Sequence, residues 1–149
     1  MEVIAGLITA VAVVGLGYVT RQGQSLPFYS TVLIVIALAY VLFAVMAEGL
    51  RTILIETAVA AGFVAVVVAA ARGTNRRGAA GLVAAGLVAH GGYDLLHHAV
   101  VVNPVVPAWW PLYCGVVDVA MGGWVGWLFV GNRTPPAQQG QQGAGGHIE

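Results

Sequence analysis

The sequence predicts an all-α membrane protein, a bundle of five transmembrane helices. Three observations carry this expectation. Hydrophobic residues make up 59% of the 149 and charged residues 8%, against roughly 25% charged in a soluble domain. That leaves too little polar surface to clothe a water-soluble globule. Five apolar stretches reach the about 20 residues that a spanning helix needs. The remaining polar residues gather mostly in short connections between those stretches.

Each span follows from its punctuation. The first, 3–19, comes after Met1-Glu2 with no basic run ahead of it and no small-x-small cleavage site behind it. It therefore reads as a retained helix and not as a cleaved leader. Arg21-Gln22-Gly23-Gln24-Ser25 ends it. The second span, 28–47, runs to the turn Glu48-Gly49-Leu50-Arg51, and the third, 52–71, to Arg72-Gly73-Thr74-Asn75-Arg76-Arg77-Gly78. The fourth is 79–99. The connection after it, Asn103-Pro104-Val105-Val106-Pro107, is stiff, because each proline fixes its φ and removes a donor. The fifth is 111–130. Residues 1–132 thus form one transmembrane domain. After Arg133 the chain turns to Gln and Gly, which bury no apolar surface, so 133–149 is expected to be a disordered cytoplasmic tail.

Arginine sets the orientation. All six basic residues are arginine. With five spans, Arg21, Arg72, Arg76, Arg77 and Arg133 share the side of the C-terminus, and Arg51 stands alone on the other. The positive-inside rule then gives a cytoplasmic C-terminus and an N-terminus outside. Trp109 and Trp110 mark the outer interface and Trp127 the inner one. Zero net charge offers no basic surface for nucleic acid; the expected partner is the lipid bilayer. The single cysteine, Cys114, excludes an internal disulfide and a multi-cysteine zinc site, and reads as a small apolar filler. Small residues recur at i, i+4 in Gly122 and Gly126, Ala80 and Ala84, and Gly81 and Ala85. Such faces let helices approach closely, within one chain or in a homo-oligomer.

The fourth span carries His90-Gly91-Gly92-Tyr93-Asp94-Leu95-Leu96-His97-His98. His90, Asp94 and His97, at i, i+4 and i+7, share one helical face, and His98 borders it. Asp118 lies inside the fifth span and Glu56 inside the third. At 1.5 Å per residue, Asp94 sits about 8 Å, His90 about 13 Å, Asp118 about 10 Å and Glu56 about 6 Å from the outer ends of their spans. All fall in the same half of the bilayer, with Glu48 at the same end. Gly91, Gly92, Gly115 and Gly122 keep nearby space open. Ionisable groups inside a membrane are costly, which makes them functional candidates.

Imidazole with carboxylate suits a divalent transition metal, zinc or iron first, over Mg²⁺ or Ca²⁺. Helical pairs at i, i+3 or i+4 chelate one ion in metal-binding bundles. The candidate metal ligands are His90, Asp94, His97 and Asp118, with His98 and Glu56 as secondary ligands or supporting partners. The same residues could instead lock helix packing by hydrogen bonding.

The order His90-Gly-x-x-Asp94-x-x-His97-His98, Asn103-Pro104-x-x-Pro107, Cys114-x-x-x-Asp118 resembles a family of small bacterial integral membrane proteins of unknown function. The resemblance covers about 86–127 and implies a membrane bundle without implying an activity. Asp94-x-x-His97-His98 is also similar to a His-x-x-His-His box of membrane fatty-acid desaturases and hydroxylases. Asp94 stands where those enzymes have histidine, and they carry several boxes where this chain has one. The functional expectation is metal-dependent chemistry on a lipid or other apolar substrate. Its rivals are a transporter or channel subunit handling protons or cations, and a non-catalytic accessory subunit.

Overall fold

A computed structural model describes residues 1–131 of the chain. Five helices follow one another: α1 (Glu2–Val19), α2 (Leu26–Met46), α3 (Leu50–Arg72), α4 (Arg76–Val100) and α5 (Trp110–Val125), the last continuing as a π-helical turn, Gly126–Gly131. All five are long and apolar enough to cross a membrane. The Gln/Gly-rich segment 133–149, and Arg133 with it, lies outside the described residues.

Local chemistry sets the helix starts. Helix α4 begins at Arg76, three residues before the expected 79, because Asn75 caps it: the Arg77 N–H donates to Asn75 Oδ1 at 3.0 Å. Pro27 and Pro111 stand in the first turns of α2 and α5, where a missing N–H costs no helical bond.

Helix α4 holds the centre. It packs on α2, α3 and α5, most extensively on α5, and α1 joins the bundle through α5. It is also the least apolar and most enclosed of the five. The span with the most polar residues is thus the one that lipid sees least.

Glycine makes the α4–α5 seam tight. A Cβ on Gly91 would stand 2.9 Å from the Gly115 carbonyl oxygen, and one on Gly115 would stand 3.1 Å from that of Gly91. Further along, a Cβ on Gly122 would lie 2.9 Å from the Ala84 carbonyl oxygen. The Gly122 face therefore serves packing inside one chain. Gly81 and Gly92 meet nothing within 4 Å.

One end of the bundle is tied by Arg76. Its guanidinium donates to the Gln24 carbonyl at 3.1 Å and lies 5.1 Å over the Phe129 ring. This gathers the α1–α2 turn, the start of α4 and the end of α5. The α2–α3 turn and the proline-rich α4–α5 connection form the opposite end, and the polar residues of α4 lie nearer to it.

Candidate metal centre

The α4–α5 crossing builds the centre. Gly91 against Gly115 brings the backbones together, so Asp118, one turn beyond Gly115, meets His90. His90 Nδ1 lies 2.7 Å from Asp118 Oδ2 and 3.6 Å from Asp94 Oδ2. Each of the three offers one ligand atom, and these atoms lie within 4.8 Å of one another. All three residues are buried.

Their hydrogen bonding is incomplete. Both oxygens of Asp94 and Oδ1 of Asp118 are enclosed and make no hydrogen bond. Buried polar atoms are rarely left so. The arginines of the described residues all lie at the ends of the spans, so the three groups must balance their own charge. Two ionised carboxylates reach zero with a divalent cation and a neutral His90, and one shared proton with an imidazolium reaches it too.

The spacing also fits an ion. Metal–ligand bonds of about 2.0–2.2 Å place tetrahedral ligands roughly 3.4 Å apart, which the His90–Asp94 separation already meets. The His90–Asp118 contact is a hydrogen bond and would open by roughly 0.7 Å on ligation, or Asp118 would turn its free Oδ1 to the ion.

The other expected ligands go elsewhere. His97 Nε2 lies 2.7 Å from Glu56 Oε1, and the Tyr93 hydroxyl donates to Glu56 Oε2 at 2.7 Å. Both Glu56 oxygens are thereby satisfied. The Tyr40 ring stacks on His97 at 4.2 Å between centroids and 19° between planes. Seven residues separate His90 from His97, about 10 Å along the axis, and His97 lies outside the group formed by His90, Asp94 and Asp118. His98 is exposed, its ring 5.6 Å from that of His97. Glu48 is exposed in the α2–α3 turn. The structure thus brings His90, Asp94 and Asp118 together, and places His97 with Glu56 as a neighbouring pair.

The sequence reading left Tyr40 and Tyr93 out of the candidate site and gave Trp110 only an interfacial role. Tyr93 lies within the motif itself, and Tyr40 puts a phenol on an otherwise hydrocarbon span, so the signal was present. Phe63 closes His90 from the α3 side, edge-on at 4.8 Å.

A cavity of about 660 Å³ reaches the centre. His90, Asp118, Tyr40 and Cys114 line it at the centre, with Thr9 and Thr31 further along and Gln22 at the arginine-rich end. Cys114 is half-buried and faces this space, where a packed filler was expected, because it stands one turn from Asp118 on the same face of α5. The Tyr113 hydroxyl donates to Thr9 Oγ1 at 2.8 Å and ties α1 to α5 at the cavity wall. Compared with protein families, with curated proteins and with solved structures, the chain finds no match.

Proposed function

We propose that this chain is a bacterial inner-membrane protein, N-terminus outside, whose His90, Asp94 and Asp118 hold a divalent transition metal for chemistry on an apolar substrate. The observation that carries the reading is the set of three enclosed carboxylate oxygens without hydrogen bonds around one histidine, with His90 and Asp118 on the wall of a cavity of substrate size. Zinc and iron suit this nitrogen–oxygen donor set. A bound ion supplies Lewis-acid polarisation of a substrate oxygen. The chain supplies the rest: Asp118 fixes the His90 ring, and the Glu56–His97–Tyr93 group braces α4 against α3.

The test is elemental analysis of detergent-purified protein, prepared without chelator. Zinc or iron near one per chain, lost in His90→Ala and Asp94→Asn while the spans stay inserted, is the expected result. Protein that carries no transition metal and takes up none on titration overturns the reading. The rival reading, a carrier of protons or cations, requires a polar route to the arginine-rich end. Toward that end the cavity wall mixes Val13, Val32, Phe28 and Met121 with Thr31 and Gln22, so stoichiometric metal, and not the wall, separates the two readings.

A further inference from the structure

We infer that the cavity is a bilayer-facing groove that binds a long-chain lipid carrying a neutral oxygen group, with the oxygen at the His90–Asp118 end and the chain running along α2. This deepens the metal reading and rests on it only at the polar end of the groove.

The walls determine the shape. On α2 the lining runs from Phe28 to Tyr40, about 18 Å, and on α5 from Trp110 to Met121, about 16 Å. About 660 Å³ spread over about 17 Å gives a mean section of about 39 Å². Carbon contacts of about 3.5–4.0 Å make a hydrocarbon chain roughly 20 Å² in section, so the groove takes one chain with room or two side by side. A zigzag of about 1.5 Å bonds advances roughly 1.25 Å per carbon, which matches a chain of about 13 carbons.

Entry is lateral. Helix α1 packs on α5 and α2 packs on α3 and α4, with little direct packing between α1 and α2. Thr31 and Val35, on the α2 side of the groove, are exposed on the face that meets lipid.

The polar end selects the head group. Trp110 Nε1 belongs to a groove-lining residue and is buried without a hydrogen-bond partner, whereas the Tyr40 hydroxyl neighbours the Asp94 carboxylate. Indole N–H only donates, so its missing partner is an acceptor oxygen. Asp118 lines the same groove with Asp94 behind it, and in the ion-free protein a further carboxylate there is disfavoured in a low-dielectric interior. The head is therefore a hydroxyl, aldehyde or ester carbonyl in preference to a fatty-acid anion.

Binding can be read by quenching of tryptophan emission in nanodiscs. The probe is a primary alcohol of about 13 carbons, brominated near its hydroxyl end. The comparators are the matching bromoalkane and bromo fatty acid. The alcohol should quench saturably, and Trp110→Phe should remove most of that quenching. One hydrogen bond of ordinary net strength corresponds to about 5-fold in affinity between alcohol and alkane. Tyr40→Phe, whose hydroxyl neighbours Asp94, should leave that gap unchanged. Ala39→Phe, inside the groove, should weaken the alcohol at least tenfold; Leu38→Phe, on the lipid face, should not. Equal quenching by all three probes, unchanged by Ala39→Phe, means annular contact only and overturns the inference, as does no saturable quenching. Metal content measured on the same samples separates the two readings. Selective alcohol binding without metal sinks the metal centre alone; metal without selective binding sinks the groove alone.

Discussion

Alanine at Gly91 and alanine at Gly92 should act in opposite directions, although the two positions are neighbours on one helix. A methyl at Gly91 would stand 2.9 Å from the Gly115 carbonyl oxygen, where ordinary contact begins at 3.4 Å. Helix backbone cannot swing aside as a side chain does, so α4 and α5 must separate by about 0.5 Å, the difference of those two distances. The His90–Asp118 bond, 2.7 Å long, would then stretch to about 3.2 Å, the upper limit of an ordinary hydrogen bond. Overpacking of this kind costs about 1–3 kcal/mol, and the gain from replacing a helical glycine returns up to about 1 kcal/mol. Gly92 meets nothing within 4 Å, so its alanine keeps only the gain. Thermal unfolding in detergent should place Gly92→Ala at or above wild type and Gly91→Ala below it. Metal affinity should fall about tenfold or more in Gly91→Ala, the size of effect that follows loss of a group orienting a ligand. It should be unchanged in Gly92→Ala. If both variants melt alike and bind metal alike, the glycine crossing does not set the centre's geometry.

Other substitutions separate structural from ligating groups. Glu56→Ala should destabilise by about 3–5 kcal/mol, because it strands His97 and the Tyr93 hydroxyl; unfolding by denaturant in micelles measures this. Asp94→Asn should leave metal-free stability within about 1 kcal/mol, since Asp94 makes no hydrogen bond to lose, yet should abolish metal uptake. Tyr93→Phe should cost about 1.5–3 kcal/mol, the worth of a hydrogen bond to a charged group, without changing metal stoichiometry. Reporter fusions in the α3–α4 connection at Gly73 should read cytoplasmic and fusions at Gly49 extracytoplasmic; the reverse would move the centre to the inner face.

The spans were legible because a bilayer imposes length and apolarity on any helix that crosses it. Each observed helix matches its expected stretch to within a few residues at the ends, α5 by way of its π-helical turn, with α4 started early by the Asn75 cap. The meeting of His90 with Asp118 was legible from depth along two antiparallel helices. The separation of His97 from that meeting was not. Helical period puts His90, Asp94 and His97 on one face but does not say which neighbour covers which turn. Helix α5 covers the turn of His90, and α3 brings Glu56 to the turn of His97. The groove was invisible for a related reason. It exists because α1 and α2, adjacent in sequence, pack on different partners, and no feature of either helix alone records a contact that is not made.

Polar residues inside a bundle can serve packing or function, and on α4 the two uses stand one turn apart. A packing role requires the groups to satisfy one another, since an unpaired polar atom in a low-dielectric interior costs more than the apolar contact it replaces. Glu56 meets that requirement, one oxygen taking Tyr93 and the other pairing with His97, and only His97 Nδ1 in that group lacks a partner. Asp94 and Asp118 do not. Of their four oxygens three make no hydrogen bond, and the fourth is held by His90. If packing alone had shaped this region, asparagine at 94 would serve better than aspartate, because it carries no charge into the interior. A carboxylate there needs a compensating proton or cation: the His90 ring stands 3.6 Å away, and a divalent ion from outside the chain would meet the same need.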